Sequence, residues 1–181
     1  MINISYADYA WQQAAALLAI DSPSGFTETA ALWVKDAFES LGFSAQLTRK
    51  GGVLIDLGGA DDQDGLMLAA HTDTLGAMVS QIKGSGRLKL TNLGGMRAEN
   101  AEAENVRVYT REGSVYEGTL QLCNASVHVN PDYKTAKRDF DTTEWCWTRR
   151  SVLPKIPVNW VLRWVTSSAL TPGPAALPPA T

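Results

Sequence analysis

Cysteine is scarce in this chain. Among 181 residues only Cys123 and Cys146 occur, too few and too unpatterned for a disulfide framework or a zinc knuckle, so both read as free thiols. Long apolar runs are missing as well. No stretch approaches the roughly 18 to 20 consecutive apolar residues that cross a bilayer, and the N-terminus lacks a basic start followed by an apolar run and a small-residue cleavage site. The expectation is a cytoplasmic protein with no membrane partner. Positive charge is not in excess either: a formal net charge of −3 gives no reason to expect nucleic acid, which would favour a basic patch that releases counterions.

What is present suits a folded protein. A content of 45% hydrophobic and 19% charged residues fits one globular domain, or a compact domain with a smaller insertion. Residues 6–20 are rich in Ala, Leu and Gln, with Tyr9 and Trp11 among them, the composition of an amphipathic helix. Asp21-Ser22-Pro23-Ser24-Gly25 ends it. Thr27 is placed to cap a second helix carrying Ala31, Val34, Phe38 and Leu41 on one face, with Gly42 as the stop. Short strands are expected at 44–48, 53–57 and 66–70. The last, Leu66-Met67-Leu68-Ala69-Ala70, is apolar on both faces and suits the middle of a covered sheet.

Past Gly76 the character changes. Short alternating segments at 77–82, 87–91, 106–110, 115–120 and 125–129, joined by turns such as Lys83-Gly84-Ser85-Gly86 and Arg111-Glu112-Gly113, predict a small β-barrel or sandwich. The fold class expected is therefore α/β for residues 1–76, followed by a small all-β barrel over 77–144.

One motif carries chemistry: Ala70-His71-Thr72-Asp73-Thr74-Leu75-Gly76. A histidine at the carboxyl end of a buried strand points into the crevice where open α/β sheets bind ligands, and a carboxylate two residues on lies near the same side. One imidazole nitrogen can then bind a metal while a carboxylate fixes the ring. Taken alone, a His-x-Asp is usually a polar strand end, and its place after five apolar residues and before a glycine favours the ligand role. The other histidine, His128, alternates with Val127 and Val129 in an expected barrel strand and reads as structural.

Together the segments Asp21-Ser22-Pro23-Ser24-Gly25, Gly51-Gly52-Val53-Leu54-Ile55, Leu68 to Val79 with its His71-Thr72-Asp73, Leu93-Gly94-Gly95 and Ala125 to Val129 resemble the glutamyl aminopeptidase family, which includes the tetrahedral and deblocking aminopeptidases. The likeness covers nearly all of 1–144. Residues 106–129 look closest to bacterial peptidases associated with an N-acetylglutaminylglutamine amide osmoprotectant system. The resemblance implies a zinc-peptidase-like α/β catalytic domain with a β-barrel oligomerisation domain inserted after the His-x-Asp strand. It further implies a hydrolase that removes N-terminal residues from a peptide or small amide substrate, His71 as ligand to one of two divalent ions, zinc or cobalt, and Asp73 as the supporting catalytic carboxylate. The family's remaining ligands come from a region after the barrel. At most a partial metal site is expected here, and hence an inactive chain; a non-catalytic β-barrel module for self-association is the alternative. A thiol enzyme built on Cys123 is disfavoured, because no helix N-terminus or basic neighbour is expected to lower its pKa.

Residues 145–181 differ abruptly from the rest. They hold four of the six Trp, six of the eight Pro and no Asp or Glu, leaving 12 basic against 19 acidic residues before them. Tryptophan has one codon, TGG. Reading Trp145-Cys146-Trp147-Thr148 one base earlier forces Val-Leu-Asp, and the same shift through Asn159 to Val165 permits Leu-Gly-Ile-Thr-Val-Gly-Asp; both strings resemble the family at these places. A frameshift, or a sequence error, near codon 144 is therefore expected. The other reading is a divergent, membrane-touching tail, which Pro154 and Pro157 oppose by interrupting any helix able to align the tryptophans.

Overall fold

A computed structural model describes residues 4–61, 63–147 and 162–167. The chain forms two compact units, one running to Thr74 and the other beginning at Leu75.

In the first unit, helix α1 spans Ile4–Leu18 and helix α2 Glu28–Ser40, and strands β1 (Ser44–Leu47) and β2 (Val53–Asp56) pair antiparallel with Ala45 opposite Ile55. Helix α2 packs on this hairpin, and Ala30, Ala31 and Ala45 are buried. Small residues let helix and strand approach closely. Thr27 occupies the N-cap position, but its side chain makes no capping hydrogen bond. The other end stops as the sequence requires. Gly42 adopts φ 90°, its N–H donates to Glu39 O at 2.9 Å, and the Phe43 N–H donates to Phe38 O at 3.1 Å. Phe43 also lies edge-on to Phe38, with ring centroids 6.3 Å apart. This pair of bonds, with an apolar contact across them, is the left-handed helix cap that glycine favours.

One expected strand does not form. Residues 66–70 are not in a strand, and Leu66, Met67 and Leu68 are 87%, 81% and 78% exposed. A strand apolar on both faces is stable only between neighbours that pair its backbone and cover it. Among the described residues the first unit has a single sheet, the β1–β2 hairpin, and 66–70 does not join it.

The second unit is a closed antiparallel barrel. Its strands are β3 (Gly76–Ile82), β4 (Leu88–Leu93), β5 (Asn105–Thr110), β6 (Val115–Leu122), β7 (Thr143–Trp147) and β8 (Leu162–Ser167), in the order β3-β4-β7-β6-β5-β8. Alternate residues face inward, as the two-residue period of a strand dictates: Leu88 and Leu90, Val106 and Val108, Leu120 and Leu122 are all buried. In the closed order each barrel strand has a neighbour on both sides.

Two features of the barrel differ from expectation. Residues 125–129 form turns, with Val127 and Val129 exposed. Local bonds satisfy the backbone there: the N–H groups of Val129 and Asn130 both donate to Ser126 O, and Asn130 Nδ2 donates to Asn124 O. The partner β6 takes instead is β7, with Leu120 opposite Trp145. The region set apart by its composition, 145–181, thus supplies most of β7 and all of β8. Trp145 is wholly buried in the core, its Nε1–H donating to Val106 O at 3.2 Å. A tract rich in tryptophan and free of acids is an anomaly as composition, but Trp145 and Trp147 lie in strand β7 of the barrel.

Gly118 shows how closely Trp145 is fitted. A Cβ built on Gly118 would overlap the Trp145 indole and the backbone carbonyl of Cys146. Gly118→Ala is therefore expected to destabilise the barrel by about 1–3 kcal/mol through overpacking, read as a lower thermal midpoint; an unchanged midpoint would contradict the packing described.

Candidate functional site

His71 and Asp73 lie at the end of the first unit, held there by a loop far away in sequence. The Thr74 N–H donates to Ser22 O at 2.7 Å, and Pro23 forms a parallel bridge with Thr74. A tight turn follows, closed by Phe26 N–H to Pro23 O at 2.8 Å, with Gly25 at φ 83°. Only glycine adopts that conformation at no steric cost. Ser24 is thereby set beside Asp73.

The geometry is a short chain of hydrogen bonds. Ser24 Oγ donates to Asp73 Oδ2 at 2.7 Å, while His71 Nδ1 lies 3.0 Å from Asp73 Oδ1 and 3.2 Å from Asp73 O. Both partners of Nδ1 are acceptors, so Nδ1 carries the proton, and whenever the ring is neutral Nε2 keeps its lone pair. The Ser24 hydroxyl, and after it the charge and hydrogen bond of His71, hold the Asp73 carboxyl below the usual carboxylate range, against slight desolvation. The His71 side chain is 84% exposed, and Nε2 has no partner among the described residues.

His71 and Asp73 are thus brought together, as the sequence motif suggests, but not at the end of a strand. What places them is the bridge to Pro23. Sequence reasoning missed Ser24 because the Ser22-Pro23-Ser24-Gly25 segment reads as a helix terminator, and nothing in a linear reading brings it to a residue 49 positions away. His128 is exposed within the turns of 123–135 of the second unit.

The family model for the M42 glutamyl aminopeptidases matches residues 51–145, a span that contains both His71 and Asp73. The chain belongs to the M42 glutamyl aminopeptidase family. Among curated relatives, YhfE of Bacillus subtilis (strain 168), which carries an aminopeptidase name, is 37% identical over 128 residues, covering 71% of this chain and 37% of its own length. Among solved structures, a TET aminopeptidase from a marine sediment archaeon, Thaumarchaeota archaeon SCGC AB-539-E09, superposes with a TM-score of 0.71 at 22% identity, over 90% of this chain and 45% of that one. The TET1 peptidase of Pyrococcus horikoshii, described as assembling into a tetrahedron or a large octahedral shell, gives 0.69 at 16% identity, over 87% and 46%. The chain thus spans less than half the length of each of these relatives.

The donors at hand can be set against what an M42 metal centre needs. A neutral imidazole with Nδ1 bonded to a carboxylate and Nε2 open is the form in which histidine binds divalent metals. Beyond it the set does not close: no group of three or more His, Cys, Asp or Glu side chains able to hold a metal occurs among the described residues, whereas a catalytic zinc takes three protein ligands.

Proposed function

We propose that this chain is the front part of a metal-dependent aminopeptidase, in which His71 offers Nε2 to one of two divalent ions, zinc or cobalt, and Asp73 fixes the ring that does so. The observation that carries the reading is the bond from His71 Nδ1 to Asp73, which selects the tautomer a metal requires and points the other nitrogen outward. Family membership supports the reaction class, hydrolysis of the N-terminal bond of a peptide or small amide substrate. Bound divalent ions would supply Lewis-acid chemistry to such a site, and of this chain's residues His71 would be one ligand, oriented by Asp73. The part this chain performs is orientation: Asp73 holds the imidazole, and the Pro23–Thr74 bridge holds Asp73.

Lineage and activity separate at this point. One imidazole and its supporting carboxylate cannot fix two ions or place an attacking water. Purified 1–181, supplied with Zn²⁺ or Co²⁺, is expected to release no p-nitroaniline from amino-acid p-nitroanilides above the buffer rate. Turnover abolished by a chelator would overturn this. The proposal extends to the gene, where a frameshift near codon 144 accounts for the missing ligands; the match to the family model ending at Trp145 supports it. Nucleotide sequence across codons 135–181 tests it, and absence of the Leu-Gly-Ile-Thr-Val-Gly-Asp continuation from every frame would refute it.

The barrel favours a second role compatible with the first. It has a core of its own, and the Pyrococcus TET1 peptidase assembles into shells, which supports an inserted oligomerisation domain working in a homo-oligomer, placed in the cytoplasm as the sequence reading expects. Light scattering of the full chain discriminates: stable oligomers without metal or activity favour a self-association module, and a monomer argues against it.

A further inference from the structure

We infer that Ser24 is a positioning residue of the His71 site, fixing the Asp73 carboxylate so that Oδ1 faces Nδ1 of the imidazole and Nε2 stays available. The inference rests on the reading of His71 and Asp73 given above and adds a residue to it. Ser24 lies ahead of the span matched by the family model, which begins at residue 51.

The physical need is plain. The Asp73 side chain is 42% exposed and that of His71 84%. An exposed pair of this kind, held by one contact, contributes little and swings between rotamers, because water competes for both partners. A second tie on the other carboxylate oxygen changes that. Ser24 Oγ supplies it at 2.7 Å, and does so from a backbone that cannot drift: Ser24 lies between the Pro23–Thr74 bridge and Gly25, inside the turn closed by Phe26 N–H to Pro23 O. With Oδ2 engaged by a hydroxyl donor, Oδ1 is left to accept from Nδ1. The same loop bonds the residue after the carboxylate, since Thr74 N–H donates to Ser22 O. Backbone and side chain of the 73–74 segment are therefore gripped from one place.

The test reads the ring directly. The chain has two histidines, His71 and His128, so long-range ¹H–¹⁵N correlation of the full chain labelled with ¹⁵N-histidine resolves both, and His128, exposed in the other unit, is an internal reference. At a pH where imidazole is neutral, His71 is expected to be mainly the Nδ1–H form. Ser24→Ala should lower its Nδ1–H to Nε2–H ratio by about threefold, as loss of one hydrogen bond at an exposed site implies, with His128 unmoved. Ser24→Thr, which keeps the hydroxyl, should restore the wild-type ratio. An unchanged ratio in Ser24→Ala, beside a clear fall in Asp73→Ala, overturns the role of Ser24 and leaves the reading of His71 and Asp73 standing. An unchanged ratio in Asp73→Ala as well removes both. If Ser24→Ala does not fold, Ser24→Cys takes its place as a weak donor of similar shape: a fall in the ratio supports the inference, and no fall overturns it.

Discussion

Trp145→Ala is expected to cost the barrel about 3–5 kcal/mol, the range for removing a large aromatic from a packed core. Several losses coincide at this position. The indole is wholly buried; its Nε1–H bond to Val106 O is lost, leaving a buried carbonyl without that donor; and Trp147, whose ring lies edge-on at 4.8 Å, loses its neighbour. Gly118, which the indole overlies, has no side chain to move into the space left. For a unit of about 100 residues each kcal/mol lowers the midpoint by roughly 4–8 °C, so the variant should be largely unfolded at temperatures where wild type is folded. Thermal unfolding followed by circular dichroism checks this. A fall of only a few degrees would mean that Trp145 is not a core residue.

Glu144 carries the second large effect. Its side chain is 2% exposed and forms ion pairs with Lys83 at 2.5 Å and with Arg87, which flank the turn between β3 and β4. Burial pushes the Glu144 carboxyl up, but hydrogen bonds from Lys83 and then Arg87 outweigh it and hold it below the ordinary value. A group whose folded pKa is depressed adds stability above its unfolded pKa, and that stability is lost as pH falls through the folded value. Asp139 follows the same sign: Lys137 first, and then Thr142, hold it at about 2 against desolvation. Acid unfolding of the barrel should therefore extend below pH 4, and Glu144→Gln should flatten the loss of stability in that range.

The partners of Glu144 are unequal. Lys83 and Arg87 are 35% and 45% exposed and can return to water, so Glu144→Gln should cost roughly 1–2 kcal/mol, below the range for breaking a fully buried pair. Removing both cations leaves the carboxylate buried and unpaired, and the Lys83→Met, Arg87→Met double variant should cost roughly 3–5 kcal/mol. Urea titration at neutral pH compares the two. Equal losses would show that solvent reaches the carboxylate as readily as it reaches the cations.

How much of this was readable from the residues follows from where each constraint lies. Local rules succeeded: Gly42 marks the end of α2, and Lys83 to Gly86 mark the turn between β3 and β4, because each depends on a few consecutive residues. For residues 66–70 apolarity alone points to a strand. Apolarity gives the wish for neighbours but not their presence. Residues 125–129 were too short an alternation to outweigh the local bonds made by Ser126 and Asn130. Strands β7 and β8 stayed hidden because tryptophan and proline enrichment signalled a composition break, while pairing depends on partners such as Leu120 and Val108. At the site, His71 and Asp73 were legible as a spaced pair. Ser24 was not, since only the fold carries it across to Asp73.

The central claim is that His71 presents Nε2 as a metal ligand while Asp73 holds Nδ1. Its most direct test is zinc titration of the ¹⁵N-histidine-labelled chain. The account predicts that the Nε2 resonance of His71 shifts as zinc is added, that Nδ1 keeps its proton, and that Asp73→Ala weakens the response. Zinc that leaves Nε2 of His71 unshifted, or a ring found with its proton on Nε2, would contradict it.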